Sequence, residues 1–180
     1  MKLLAALLAL LLCALPASGM TESDARAIAT SVGVPAEVEI TVILDPTAGW
    51  DFNGVFMSPG IFCLAPWLCG ELPYAQITVL AGPQTPEDVL TLTLLHEIAH
   101  YFFWQTGMSF ATDADEEWAA DLWAMNIGCD RFGLTLDAAR TWGRIALLAG
   151  AYDDPAHGPT SARVLYVLEN TQCLRRGEEA

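Results

Sequence analysis

His96-Glu97-Ile98-Ala99-His100 is the stretch on which the reading of this chain turns. It lies in an apolar run, 89–104, whose other residues suit a buried central helix. On a helix, positions i and i+4 share a face, so His96 and His100 can grip one ion together. Glu97 sits one step round, within reach of a water bound to that ion. A carboxylate there can act as general base while zinc lowers the water's pKa towards about 7. The chain has three histidines, and two of them stand at ligand spacing around a glutamate. That economy separates the stretch from a chance match on an amphipathic helix.

A hydrolytic zinc site takes three protein ligands and leaves a fourth position for water. A third histidine in the pattern His-Glu-x-x-His-x-x-Gly-x-x-His is excluded, because Phe103 and Thr106 occupy the required positions. Downstream, residues 113–121 read Asp-Ala-Asp-Glu-Glu-Trp-Ala-Ala-Asp, the start of a second helix. Asp113 is expected as its N-cap, with Glu116 as the capping-box partner. Glu117 is then free to be the third ligand. Asp121, one turn on along the same face, is placed to accept the other ring N–H of a ligating histidine. Acids in a first turn also favour the positive end of a helix, which accounts for Asp115 and Glu116. Glu116 or Asp121 would replace Glu117 if that residue proved dispensable for the metal.

His-Glu-x-x-His followed by Glu-x-x-Ala-Asp, here Glu117-Trp118-Ala119-Ala120-Asp121, resembles the pattern of the gluzincin metallopeptidases. The likeness is to the HtpX and CAAX-prenyl endopeptidase group and its small soluble bacterial relatives. That group also carries a His-Pro segment with an arginine six residues after the histidine. This chain has His157-Gly158-Pro159-Thr160-Ser161-Ala162-Arg163, with the same spacing but Gly158 in the proline's place. The resemblance covers roughly residues 86–165. It implies that His157 stabilises the oxyanion of a tetrahedral intermediate and that Arg163 binds or orients a group nearby. Tyr152 and Tyr166 are alternatives for the oxyanion role. The resemblance further implies a small gluzincin-like α+β domain, with a short mixed sheet packed on the central helix and on the glutamate-bearing helix after it.

The remaining sequence suits a small exported enzyme. Residues 1–19 read as a secretory signal: Met1-Lys2, an apolar run from Leu3 to Leu15, then Pro16-Ala17-Ser18-Gly19. Cleavage is expected after Ala17 or Gly19, and residues 20–180 are read as one domain, secreted or periplasmic, with no further membrane span expected. Lysine and arginine number 8 against 22 acids, for a net charge of −14. Lys2 would leave with the signal, and no other lysine is present. Such acidity repels nucleic acid and anionic membranes and otherwise serves solubility; the expected partner, a peptide or protein substrate, follows from the zinc site. Cys63, Cys69, Cys129 and Cys173 would remain after processing and suggest two disulfides. Three connectivities are possible; Cys63–Cys69 and Cys129–Cys173 are favoured.

Coarsely, strands precede helices. Residues 22–32 predict a first helix, and residues 38–44 alternate as a β-strand. Residues 45–75 are rich in Gly, Pro and aromatics and predict loops or a hairpin, with short apolar runs at 54–57 and 61–64. Gln76–Leu80 makes another strand. By position it is the candidate for the edge strand that lines a gluzincin cleft, and an ordinary core strand is the alternative. Thr85 as cap and Pro86 at N1 open the motif helix, which should end near Gly107. The glutamate helix is expected over 114–127 up to Gly128, a further helix from the Thr135 cap to about Leu148, and a last one from about Pro159 to Leu174. Trp118 and Trp123 flank the proposed ligand and are read as core residues rather than pocket lining. The expectation is an exported zinc-dependent metallopeptidase; the alternative is a catalytically inactive zinc-binding or interaction module.

Overall fold

A computed structural model describes residues 19–47, 52–65, 68–149 and 159–171, leaving aside the side chains of 52–53, 61–71 and 148–149. The expected signal therefore lies outside the described residues apart from its last position. The fold is α+β. Among the described residues it holds α1 (Glu22–Ser31), β1 (Glu39–Leu44), β2 (Phe52–Met57), β3 (Gly60–Ala65), β4 (Leu68–Leu72) and β5 (Gln76–Ala81), followed by α2 (Glu87–Thr106), α3 (Asp113–Phe132), α4 (Leu136–Ala149) and α5 (Thr160–Asn170). No helix among these residues is long and apolar enough to cross a membrane.

The main sheet is mixed, in the order β1-β5-β2. β5 runs parallel to β1, with Ile40 opposite Ile77 and Val42 opposite Val79, and antiparallel to β2, with Gly54 opposite Val79. Ile77, Val79 and Ala81 alternate inward from β5 and are fully buried. Bonded on both sides and buried on one face, β5 is the central strand. The edge beside α2 belongs instead to β2, which corrects the expectation for 76–80. Its physical basis is that the apolar alternation of β5 suits a core, whereas β2 carries a glycine where it meets a helix side chain. Gly60–Ala65 and Leu68–Leu72 pair antiparallel as β3 and β4, with Cys63 opposite Cys69 in register. Cys129 is disulfide-bonded, and every other cysteine side chain falls outside the described ones.

α2 is the central element, packed against β2 and β5, α1, α3 and α4. Leu90, Leu94, Leu95 and Ile98 are fully buried, each worth about 1.5–3 kcal/mol on transfer from water. The helix starts one residue later than expected, with Pro86 at the cap position. It ends at Gly107, whose φ of 65° supplies the left-handed turn.

α3 departs from expectation at both ends. Its N-cap is Thr112, not Asp113, and the Thr112 hydroxyl pairs with Asp115 rather than Glu116. It also runs through Gly128 and stops at Gly133, where φ is 68°. Gly128 serves packing instead: a Cβ there would come within 2.6 Å of the Leu134 side chain, which folds back against α3. α5 ends at Asn170, short of the expected Leu174.

Candidate metal centre

His96 and His100 lie one turn apart on α2, and their Nε2 atoms approach to 3.0 Å. Glu117, from the first turns of α3, reaches the pair with both oxygens, Oε2 at 3.3 Å from His96 Nε2 and Oε1 at 3.3 Å from His100 Nε2. The packing of α3 along α2 makes this convergence possible. The three residues form a group able to hold a metal ion.

The rings are held from behind. His96 Nδ1 donates to Asp121 Oδ1 at 2.9 Å, as expected. His100 Nδ1 donates to Glu116 Oε1 at 2.8 Å. With both Nδ1 atoms donating, each neutral ring turns an Nε2 lone pair inward, towards the other ring and towards a carboxylate. Acceptors gathered this way repel one another unless a cation or added protons lie among them. A tetrahedral zinc with bonds of about 2.1 Å separates its ligand atoms by about 3.4 Å, close to the spacings seen here. The donor set, two imidazoles and one carboxylate, therefore fits such an ion.

Glu116 was expected to cap α3, and its actual place behind His100 is the main correction within the site. Thr112 takes the capping role, which releases Glu116 towards α2. Arg163, buried on α5, completes the group. Its Nε donates to Asp121 Oδ2 at 2.8 Å and its guanidinium lies 3.3 Å from Glu117 Oε2. One arginine thus steadies both the proposed ligand and the carboxylate that orients His96.

Glu97 is buried and lines the same cavity, of about 460 Å³, as the three proposed ligands. It lies under β2, with a hydrogen bond from the Phe56 backbone N–H. A Cβ on Gly54 would fall 2.4 Å from Glu97 Oε1, so the strand's close approach requires glycine at that position.

Electrostatics follow this geometry. Burial opposes protonation of His96, but hydrogen bonds to Asp121 and Glu117 and the charges of Asp121 and Glu97 outweigh it, lifting its metal-free pKa to about 10. For His100, burial is likewise outweighed, chiefly by the bond to Glu117, and its pKa is raised. Burial pushes the Glu117 carboxyl up, yet the two histidines hold it well below the usual carboxylate range. Asp121 is lowered against its own burial, mainly by its bond to His96 and then by Arg163. Unlike the Glu117 and Asp121 carboxyls, that of Glu97 moves up, because burial exceeds the pull of the histidines.

The chain matches no family model, no curated protein and no solved structure. The site is therefore read from its own geometry. His96, Glu97, His100, Glu117, Asp121 and Arg163, all named from the sequence, line one cavity. His157 and Tyr152 lie outside the described residues. Tyr166 stacks on Trp118, with ring centroids 5.3 Å apart, and does not line the cavity. Trp123 packs on Phe102, so both tryptophans beside the proposed ligand are packing residues.

The reading expected the α4 helix and noted the 54–57 run, but placed neither at the site. Gly54, Val55 and Phe56 line the cavity, as do Trp142 and Ala146. The 54–57 run was visible but too short to show alternation. The spacing of Trp142 and Ala146 marks a shared helix face without saying what that face meets.

Proposed function

We propose that the protein is a zinc-dependent metallopeptidase of gluzincin type. The observation that carries this reading is the convergence of His96 Nε2, His100 Nε2 and both Glu117 oxygens in a cavity that also holds a buried carboxylate, Glu97, beside an edge strand. His96, His100 and Glu117 would hold the ion. When bound, it supplies Lewis acidity towards a carbonyl oxygen and lowers the pKa of a water in the open position.

The chain's own residues supply the rest. Glu97 accepts the proton of the attacking water and hands it to the leaving amine. The Phe56 N–H holds the Glu97 carboxylate in place through that exchange. Asp121 and Glu116 fix the imidazole orientations, and Arg163 fixes Asp121. β2, at the edge of the main sheet, offers main-chain groups to an extended peptide, which would bind by strand addition. By the family resemblance, His157 stabilises the oxyanion.

The test is cleavage of a diverse peptide library by zinc-loaded protein, read by mass spectrometry with the Glu97→Gln protein as background. Cuts lost in the variant establish the peptidase and give its preference. Identical maps from the two proteins would return the site to a zinc-binding module.

A further inference from the structure

Building on the peptidase reading, we infer that Trp142, Ala146 and Val164 form a side-chain subsite for a mid-sized aliphatic residue of the substrate. Glu97, Asp113, Glu116, Glu117, Asp121 and Arg163 supply the acidic and basic lining of the cavity. Val55 and Phe56 of β2 and a wall from α4 and α5 supply its apolar lining. Trp142 and Ala146, four residues apart, share a face of α4, and Thr160 and Val164 share a face of α5 by the same spacing. Gly143 lets the two helices close together, since a Cβ there would meet Val164 Cγ1 at 2.7 Å. None of the three apolar side chains holds a proposed ligand or its orienting carboxylate. They do present a surface that water wets poorly and an aliphatic group covers well.

Trp142 also sets the depth. A second void, of about 10 Å³, is lined by Trp142, His96 and Asp121 together with Leu92, Ala124 and Met125. Trp142, His96 and Asp121 border both spaces, and of the three only the indole is neither a proposed ligand nor the carboxylate that orients one. A smaller ring at position 142 would enlarge the subsite.

Equilibrium binding to zinc-loaded Glu97→Gln protein tests this, with fluorescently labelled Ala-Ala-X-Ala-Ala peptides read by polarisation. Leucine or valine at X should bind about tenfold to a hundredfold tighter than glycine, aspartate or lysine, as burial of one aliphatic side chain implies. Adding Ala146→Leu fills the subsite and should bring all X to within about twofold. Adding Trp142→Phe deepens it and should raise phenylalanine relative to leucine. Ratios measured within one preparation do not depend on the folded fraction, and Trp142→Phe decides the matter if Ala146→Leu fails to fold. Uniform affinity across X, a leucine preference unmoved by both substitutions, or no binding of any peptide overturns the subsite. The peptidase reading fails separately, if peptides that bind with this preference are left uncut by the protein carrying Glu97.

Discussion

Glu97 lies under the backbone of β2, in space that only the absence of a side chain at Gly54 leaves open. Its burial raises its pKa, and the histidines, like any bound cation, act to keep it ionised. Glu97→Gln should lower kcat by about 10²–10⁴-fold, the usual worth of a positioned general base, with zinc content unchanged. Gly54→Ala should act through the same carboxylate, pushing it off position. A misplacement of about 1 Å can cost about 10²-fold in rate, so kcat should fall while KM and zinc stoichiometry hold. Full activity in Gly54→Ala would show that Glu97 has slack the geometry denies it. Glu116, bonded to His100, would act on the proposed metal rather than on the water. Glu116→Ala should weaken zinc about 10–100-fold in a competitive chelator titration, and Glu116→Gln less, since an amide oxygen still accepts from His100. Equal losses in the two variants would assign the effect to charge instead of orientation.

α2 and α3 show what a sequence can and cannot disclose about an element. His96, His100 and Glu117 were legible because ligand chemistry demands particular side chains at helical spacing. Asp121 followed from Glu117 by one turn. The N-terminus of α3 was harder, since Thr112 and Asp113 both cap well and both have an acid three residues on. Choosing Asp113 assigned Glu116 to the cap and hid its bond to His100. Two glycines likewise competed for the other end. Gly128 is taken up by close packing against Leu134, a tertiary fact absent from local sequence, so Gly133 stops the helix. β2 was unreadable for a related reason: its value to the site lies in a missing side chain. Gly133→Ala forces a Cβ into the left-handed region with no clash to relieve. It should cost about 1 kcal/mol in urea unfolding, or roughly 2–4 °C in Tm, without touching zinc affinity. Gly133→Asn should recover part of the loss, and an Ala variant as stable as wild type would place the helix end elsewhere.

Over the whole molecule, a metal held by the cluster would compete with protons for it, with a sign that follows from the pKa shifts. In the metal-free fold His96 has its pKa raised from 6.5 to about 10, and His100 is raised too. Their contribution to stability is fully present below about pH 6.5 and is lost as pH rises through the folded values. Glu97, an acid raised by burial, works in the same direction, because its ionisation above the ordinary range is penalised in the fold. Glu117 and Asp121 are lowered, so their contribution is present above the ordinary carboxylate pKa and is lost as pH falls below it. Metal-free protein should therefore be most stable between about pH 4.5 and 6.5, with Tm declining from pH 6.5 towards 10. Zinc held as proposed would replace those protons. Its stabilisation should be small at pH 5, where two histidines must first be deprotonated, and should grow as pH rises. At free zinc about 1,000 times Kd the gain is about 4 kcal/mol, roughly 8–16 °C for a domain of this size. Calorimetry of chelator-treated and zinc-loaded protein across pH 5 to 9 reads both curves together. A metal-free Tm that stays level above pH 6.5, or a zinc increment that does not grow with pH, would mean that the two imidazoles and Glu117 do not share one ion.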